Sequence, residues 1–333
     1  MKGIITYIFL LIIILPSCDK ALMGPDPDSS DKTCFKILWT DFDQHYPSFI
    51  IKNLNWDSVY NVEMNQIDKR GLLYVLADVA RIIKDGHFDV FANGVDIYSP
   101  PPWIRRISNS PINIKHYILL STLDNNKNIK YGIYNNIGYI SIQSFDLDKT
   151  FYNDILNLII SYKDMDGIII DVRDNLGGFI SNSDIVAGAF TDKEVLCWKS
   201  RFRNGLSHND FGNWINYYVE PTASLAFLKP VTILTNKKSS SAAEFFCLSM
   251  HALPKTTIIG DTTDGTISDN EYHDLPNGWI YRMSISTTAT IDGKIYESKG
   301  IPPDIPLWIS KHDSIIGKDD IFEKAVDIIN SKK

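Results

Sequence analysis

The sequence predicts an α/β protein with a helical N-terminal part, on three observations. From about residue 131 onward, strand-like and helix-like segments alternate. Before that, residues 34–84 carry a helical period. The composition is that of a filled globular core: of 333 residues, 44% are hydrophobic and 22% charged, with 16 Phe, 16 Tyr and 7 Trp. Such a chain does not stay disordered for want of apolar surface. At this length one large or two ordinary domains bury a core without a disulfide or metal staple. Thirty-three basic against 40 acidic residues give a net charge of −7. With no basic block and no Arg–aromatic stripe, a nucleic-acid partner is not expected.

The elements follow in order. Lys2 precedes the apolar run Ile4–Leu15, which ends in Pro16-Ser17-Cys18. A positive start, a short apolar stretch and a small residue at the break read as a signal peptide over residues 1–17, too short for a full membrane span. Leu15-Pro16-Ser17-Cys18 resembles a bacterial lipobox, which predicts cleavage before Cys18, lipidation of that cysteine and a lipoprotein of the bacterial cell envelope. Residues 18–32, rich in Pro, Asp and Ser, read as a tether. Cys34, Cys197 and Cys247 then remain; their number and spacing suit neither a disulfide framework nor a zinc site.

Residues 33–130 are assigned to a helical subdomain and a connecting segment. Leu72, Leu73, Leu76, Val79, Ala80 and Ile83 lie on one helical face, and Gly86 is expected to close that helix in the left-handed region. His87 then sits at a helix-to-strand corner. His45 is expected to pack within the helical part. Residues 131–333 form the α/β core. Ile137–Ile142, Gly167–Val172, Val231–Thr235 and Thr256–Ile259 read as strands, and 151–162, 183–190, 239–251 and 319–329 as helices. Strands alternating with helices predict parallel strands buried on both faces.

Four stretches carry chemistry. Asp171-Val172-Arg173-Asp174-Asn175-Leu176-Gly177-Gly178 ends a buried strand, where α/β sheets collect ligands; its glycines let backbone N–H groups approach an oxyanion. Ser241-Ala242-Ala243-Glu244 starts a helix. There Ser241 is placed for nucleophilic attack and the Ala242 N–H is free to donate, although Ser241 with Glu244 also reads as a capping box. His87, in Asp85-Gly86-His87, is the side chain suited to accept a serine proton near neutral pH. Glu297, in Glu297-Ser298-Lys299-Gly300-Ile301-Pro302-Pro303-Asp304, is a carboxylate able to orient that histidine.

In this order, and with Ile137-Gly138-Tyr139-Ile140-Ser141-Ile142-Gln143-Ser144-Phe145 between them, these stretches resemble the C-terminal processing protease and tricorn family of serine peptidases. Tyr46-Pro47-Ser48-Phe49 and Asn55-Trp56-Asp57 resemble its N-terminal segment. The resemblance implies a crotonase-like β/α spiral core, with the N-terminal part carrying His87 across to it. It also implies peptide hydrolysis through an acyl-enzyme: Ser241 as nucleophile, His87 as base, Glu297 as orienting group, and Ala242 with Gly177 or Gly178 as the oxyanion hole. No metal or cofactor is required. The processing branch pairs its serine with a lysine, where this chain has Thr266 in Gly260-Asp261-Thr262-Thr263-Asp264-Gly265-Thr266; Lys237 and Lys238 are expected to be solvated. About fifty residues between His87 and Gly138 leave no room for that branch's PDZ insertion. The tricorn-like branch is therefore expected, although it commonly carries Ser where this chain has Gly86. Three rivals remain open: a tethered protein that binds a peptide or small hydrophobic ligand without catalysis, an ester or amide hydrolase using the same residues, and an interaction scaffold without a cleft at Ser241.

Overall fold

The computed structural model describes residues 28–92, 94–98 and 110–332. The signal peptide, Cys18 and most of the expected tether lie outside them.

The core is a seven-stranded sheet in the order Ile305–Pro306, Thr256–Gly260, Val231–Thr235, Gly167–Asp171, Ile137–Ile142, Ile129–Tyr134, Ser121–Thr122. The first five strands run parallel and the last two pairings are antiparallel. All residues of Ile137–Ile142, Gly167–Asp171 and Val231–Thr235 are buried, because helices cover both faces. One face packs against the helices Lys149–Ser161, Ile180–Ala187 and Ala242–His251 through Ile155, Ile159, Val186 and Phe246. The other face packs against Asp320–Ser331 through Ile321, Phe322, Ala325 and Ile329. Each fully buried Ile contributes about 2 kcal/mol of transfer free energy. The α/β expectation is borne out.

The N-terminal part consists of the helices Asp31–His45, Trp56–Met64, Ile67–Arg70 and Leu72–Ile83. On the last of these, Val75 is buried with Leu72, Leu76, Val79, Ala80 and Ile83, whereas Leu73 turns partly outward. Its left-handed cap is Lys84 (φ 50°) rather than Gly86. His45 is half exposed and pairs with Asp41 instead of packing inward.

This part is completed from the other end of the chain. Asn270–Asp274 and Trp279–Ser284 join Asp89–Ala92 and Val95–Tyr98 in an antiparallel four-stranded sheet. Leu275, Tyr281 and Met283 enter its apolar cluster. The strand Ser286–Thr290 follows at once and pairs with Val195–Phe202, which pairs with Ile215–Val219. Residues 270–290 therefore tie the helical part to the core. The aromatic stretch 198–218 is folded into this last sheet, with Trp198 stacked on Tyr217 and packed against Phe245 of the helix that begins at Ser241.

Candidate active site

The strand Val231–Thr235 delivers the chain to a tight turn before the helix Ala242–His251. Ser241, immediately before that helix, has φ 54° and ψ −121°, a strained conformation for a residue with a Cβ. The surroundings impose it. Ser240 N–H donates to Asn175 O at 2.9 Å and Ser239 Oγ to Val172 O at 2.8 Å. The buried Glu244 carboxylate accepts Ser241 N–H (3.1 Å), Gly265 N–H (2.7 Å), Thr266 N–H (2.9 Å) and the Thr263 hydroxyl (2.5 Å). Burial and the nearby Asp264 push Glu244 up to about 7 against those bonds. Ser241 thus keeps Glu244 as its capping partner and still turns its hydroxyl toward His87, with Oγ 3.1 Å from Nε2.

The glycine turn meets the same spot. A Cβ at Gly177 (φ 100°) would stand 2.7 Å from Ser241 Cβ, so only glycine allows this approach. The two expected donors differ. Gly177 N–H is already given to Asn175 Oδ1 at 2.8 Å. Gly178 forms a parallel bridge with Phe145 through Phe145 N–H to Gly177 O and Phe179 N–H to Phe145 O. In such a bridge the central residue's own N–H faces away from its partner strand. Among the described residues the amides of Gly178 and Ala242 have no hydrogen-bond acceptor, as an oxyanion site needs.

His87 is held by the strand pairing below it. It is 3% exposed, and its carbonyl accepts Arg282 Nε at 3.2 Å. Burial pushes its pKa down to about 4; Asp85 works against that fall, and Arg282 and Lys52 add to it. At neutral pH the ring is uncharged, the state a general base requires.

Glu297, expected to orient His87, does not touch it. Its carboxylate accepts Ile267 N–H at 2.8 Å and lies 3.9 Å from Lys52 Nζ. The reason is Lys52, which stands between Glu297 and Asp85 (3.8 Å). Its Nζ also donates to Ile83 O and Lys84 O at 3.2 and 2.9 Å. Burial and Asp85 push Glu297 up to about 8, with Lys52 pulling the other way. His87 Nδ1 instead faces Ser284 Oγ at 3.4 Å. Sequence reasoning missed both Lys52 and Ser284. Lys52 follows the N-terminal Tyr46-Pro47-Ser48-Phe49 segment by three residues, which was a usable hint; Ser284 has no local signature.

The two sequence departures prove to be one packing pair. A Cβ at Gly86 would lie 2.5 Å from Thr266 Oγ1, so Thr266 occupies the space that a side chain at position 86 would need. Lys237 is not solvated as expected: its ammonium donates to Thr263 O (2.5 Å) and Asp264 O (3.0 Å), clamping the loop above Glu244.

Ser241 and His87 open on a cleft of about 980 Å³, whose walls include Gly178, Phe179 and Phe245. Among the described residues no group of His, Cys, Asp and Glu is arranged to hold a metal ion, and no helix is long and apolar enough to cross a membrane. Cys34, Cys197 and Cys247 are buried free thiols.

Peptidase family S41 matches residues 136–307, just over half of the chain. The carboxy-terminal processing protease CtpA of Bacillus subtilis (strain 168) is 27% identical over 173 residues, or 51% of this chain and 35% of its own length. The chain therefore spans about a third of that relative. A crystal structure of a candidate peptidase from Parabacteroides merdae ATCC 43184 superposes with a TM-score of 0.79 at 28% identity, covering 91% of this chain and 97% of that one. The tricorn protease shares the fold at 16% identity and a TM-score of 0.60, over 91% of this chain and 37% of its own. On the family match, together with these likenesses in sequence and fold, the chain belongs to peptidase family S41.

Proposed function

We propose that this chain is a serine peptidase that cleaves peptide bonds through an acyl-enzyme. One observation carries the reading: Ser241 Oγ lies 3.1 Å from His87 Nε2 although 154 positions separate them in sequence. Ser241 Oγ attacks the scissile carbonyl carbon as its proton passes to His87 Nε2, and the carbonyl oxygen becomes an oxyanion facing the N–H groups of Ala242 and Gly178. Collapse breaks the C–N bond, and the proton on Nε2 goes to the leaving amine. Water, giving a proton to the same nitrogen, then hydrolyses the ester and returns Ser241. One oxyanion donor is worth about 3 kcal/mol in the transition state. The strained backbone of Ser241 supports the reading, since such strain collects at reacting residues.

We further propose that Cys18 is lipidated, which tethers the peptidase to the bacterial envelope by the segment read as a tether, residues 18–32, and gives it peptides or unfolded segments outside the cytoplasm. Cys18→Ala is expected to move the chain from the membrane to the soluble fraction and to abolish lipid incorporation.

A fluorophosphonate probe tests the catalytic reading. Labelling at Ser241, mapped by mass spectrometry and lost in Ser241→Ala and His87→Ala, is the expected result. A folded wild-type chain that stays unlabelled beside a reactive control hydrolase would leave a tethered binding protein as the better description. Paired ester and peptide substrates then separate a peptidase from an esterase.

A further inference from the structure

We infer that Ser284 is the positioning residue of His87, and that Asp85, not Glu297, is the carboxylate behind it. The inference rests on Ser241 and His87 being the reacting pair. Ser284 ends the strand Trp279–Ser284, which pairs with Asp89–Ala92 in the register Asp89 to Arg282. Two residues further along, that register sets Ser284 opposite His87, and the side chains meet there: Ser284 Oγ is 3.4 Å from His87 Nδ1 and 3.0 Å from Asp85 Oδ1.

The hydrogen count fixes the direction of each bond. An ionised Asp85 has only acceptors, so the single Ser284 hydroxyl proton goes to Asp85. The Ser284 oxygen then has only lone pairs to offer His87, so Nδ1 must carry the ring proton. Nε2 is left with its lone pair toward Ser241. Asp85 is suited to this work because both of its oxygens are engaged. Oδ1 accepts His87 N–H at 2.8 Å as well as Ser284, and Oδ2 accepts the Tyr46 hydroxyl at 2.8 Å with Lys52 Nζ 3.8 Å away. Although burial acts to raise it, Lys52, His87 and these hydrogen bonds hold its pKa below the usual carboxylate value.

A hydroxyl from the neighbouring strand also answers the question posed by Gly86. Position 86 has no room for a side chain against Thr266, so the hydroxyl that could have preceded His87 in sequence arrives from 197 residues away. During attack the Ser241 proton stops at Nε2. The imidazolium keeps its Nδ1 proton, shared with Ser284, and Asp85 stays ionised and stabilises the new positive charge. Glu297 contacts neither ring nitrogen; it meets this line at Lys52 and through the charge of Asp85.

The test uses the full chain with two readouts, the rate of fluorophosphonate labelling at Ser241 and the protonation of His87 by ¹⁵N NMR. Ser284→Ala is expected to slow labelling on the order of 10- to 100-fold and to release the ring into a mixture of tautomers. Ser284→Thr, which keeps the hydroxyl, is expected to recover most of the rate and the single Nδ1–H form, a rescue that a purely packing role would not give. The loss in Ser284→Ala is expected to exceed that in Glu297→Gln. If Ser284→Ala folds, labels within about twofold of wild type and retains Nδ1–H, the assignment is overturned. Should Ser284→Ala fail to fold, Asp85→Asn and Ser284→Thr decide by the same two readouts. If wild type itself does not label, the peptidase reading fails, and the NMR tautomer in Ser284→Ala still decides the positioning question.

Discussion

Two buried cations, each set between two carboxylates, are built differently. Arg173 is fully buried and grips Asp171 with Nε at 2.9 Å and Nη2 at 2.7 Å, while its Nη1 lies 2.9 Å from Asp319. Tyr139 donates to Asp171 at 2.8 Å, and Asp319 caps the helix Asp320–Ser331 through Phe322 N–H. Lys52 stands 3.8 Å from Asp85 and 3.9 Å from Glu297 and gives its close hydrogen bonds to carbonyls. The planar guanidinium reaches two anions at close range at once; the ammonium, a point charge, does not. The first cluster therefore locks strand to helix. In the second, one carboxylate is ionised, one holds its proton at neutral pH, and a histidine stands beside them. A tight buried ion pair thus belongs to the scaffold, while a loose one sets the charge state of a neighbour.

The largest effect expected from this contrast is on stability. Arg173→Ala leaves two buried carboxylates unpaired and should cost about 3–5 kcal/mol, read by urea unfolding. Lys52→Met leaves one ionised carboxylate, since Glu297 is already protonated, and should cost less, about 2 kcal/mol. Equal costs would show that Lys52 holds its carboxylates as tightly as Arg173 does. Lys52→Met should also move the acid limb of Ser241 labelling to higher pH, because Lys52 helps to hold His87 down near 4.

The pH dependence of stability follows from signs. Glu297 is raised on folding to about 8 from an ordinary value of 4.5. Its stabilisation is fully present below 4.5 and is lost as pH rises through about 8. Glu244, raised to about 7, acts in the same direction. His87 is lowered to about 4 from 6.5, so its contribution is complete above 6.5 and is lost as pH falls toward 4. Tm should therefore decline most clearly between about pH 6.5, where the His87 contribution is complete, and about pH 8, and Glu297→Gln should flatten that decline; an unchanged slope would show that Glu297 ionises as it would in water.

A smaller effect concerns Gly86 and Thr266. Gly86→Ala should cost about 1 kcal/mol by overpacking, and in a Thr266→Ala background most of that cost should vanish, as a double-mutant cycle would show. Additive costs would mean that the two positions are not one packing pair. The smallest effect is on substrate charge. Asp96, Asp146, Asp264 and Asp269 line the cleft, as do Lys84 and the mutually paired Asp89 and Arg282. A cationic peptide should show a lower KM than its neutral analogue at low salt, a difference that disappears as salt screens it.

How much of this could be read beforehand depends on how local the cause was. Ser241, Ala242 and Glu244 are one helical turn, and their chemistry lies in backbone ends that any helix start exposes. The Gly177–Gly178 turn follows a strand whose burial is written in Ile168, Ile169 and Ile170. These features were legible, as was the α/β alternation. Glu297 as the orienting group was not supported by the geometry, because a carboxylate beside a Gly-Pro turn says nothing about which cation it will meet. Likewise Gly86 looked like a helix cap and proved to be a close approach, a distinction set by Thr266, 180 positions away.

By itself, then, the sequence determined the sheet, the helix that starts at Ser241 and the glycine turn beside it, because hydrophobic period, turn chemistry and helix-end geometry act over a few residues. The surroundings of His87 were set by long-range pairing. Lys52, Asp85, Ser284 and Glu297 come from four separate segments, and they meet because Trp279–Ser284 leaves the core to pair with Asp89–Ala92. Strand pairing fixes register across any length of chain, and in a buried site with few waters each polar atom must find its partner among whatever that register brings.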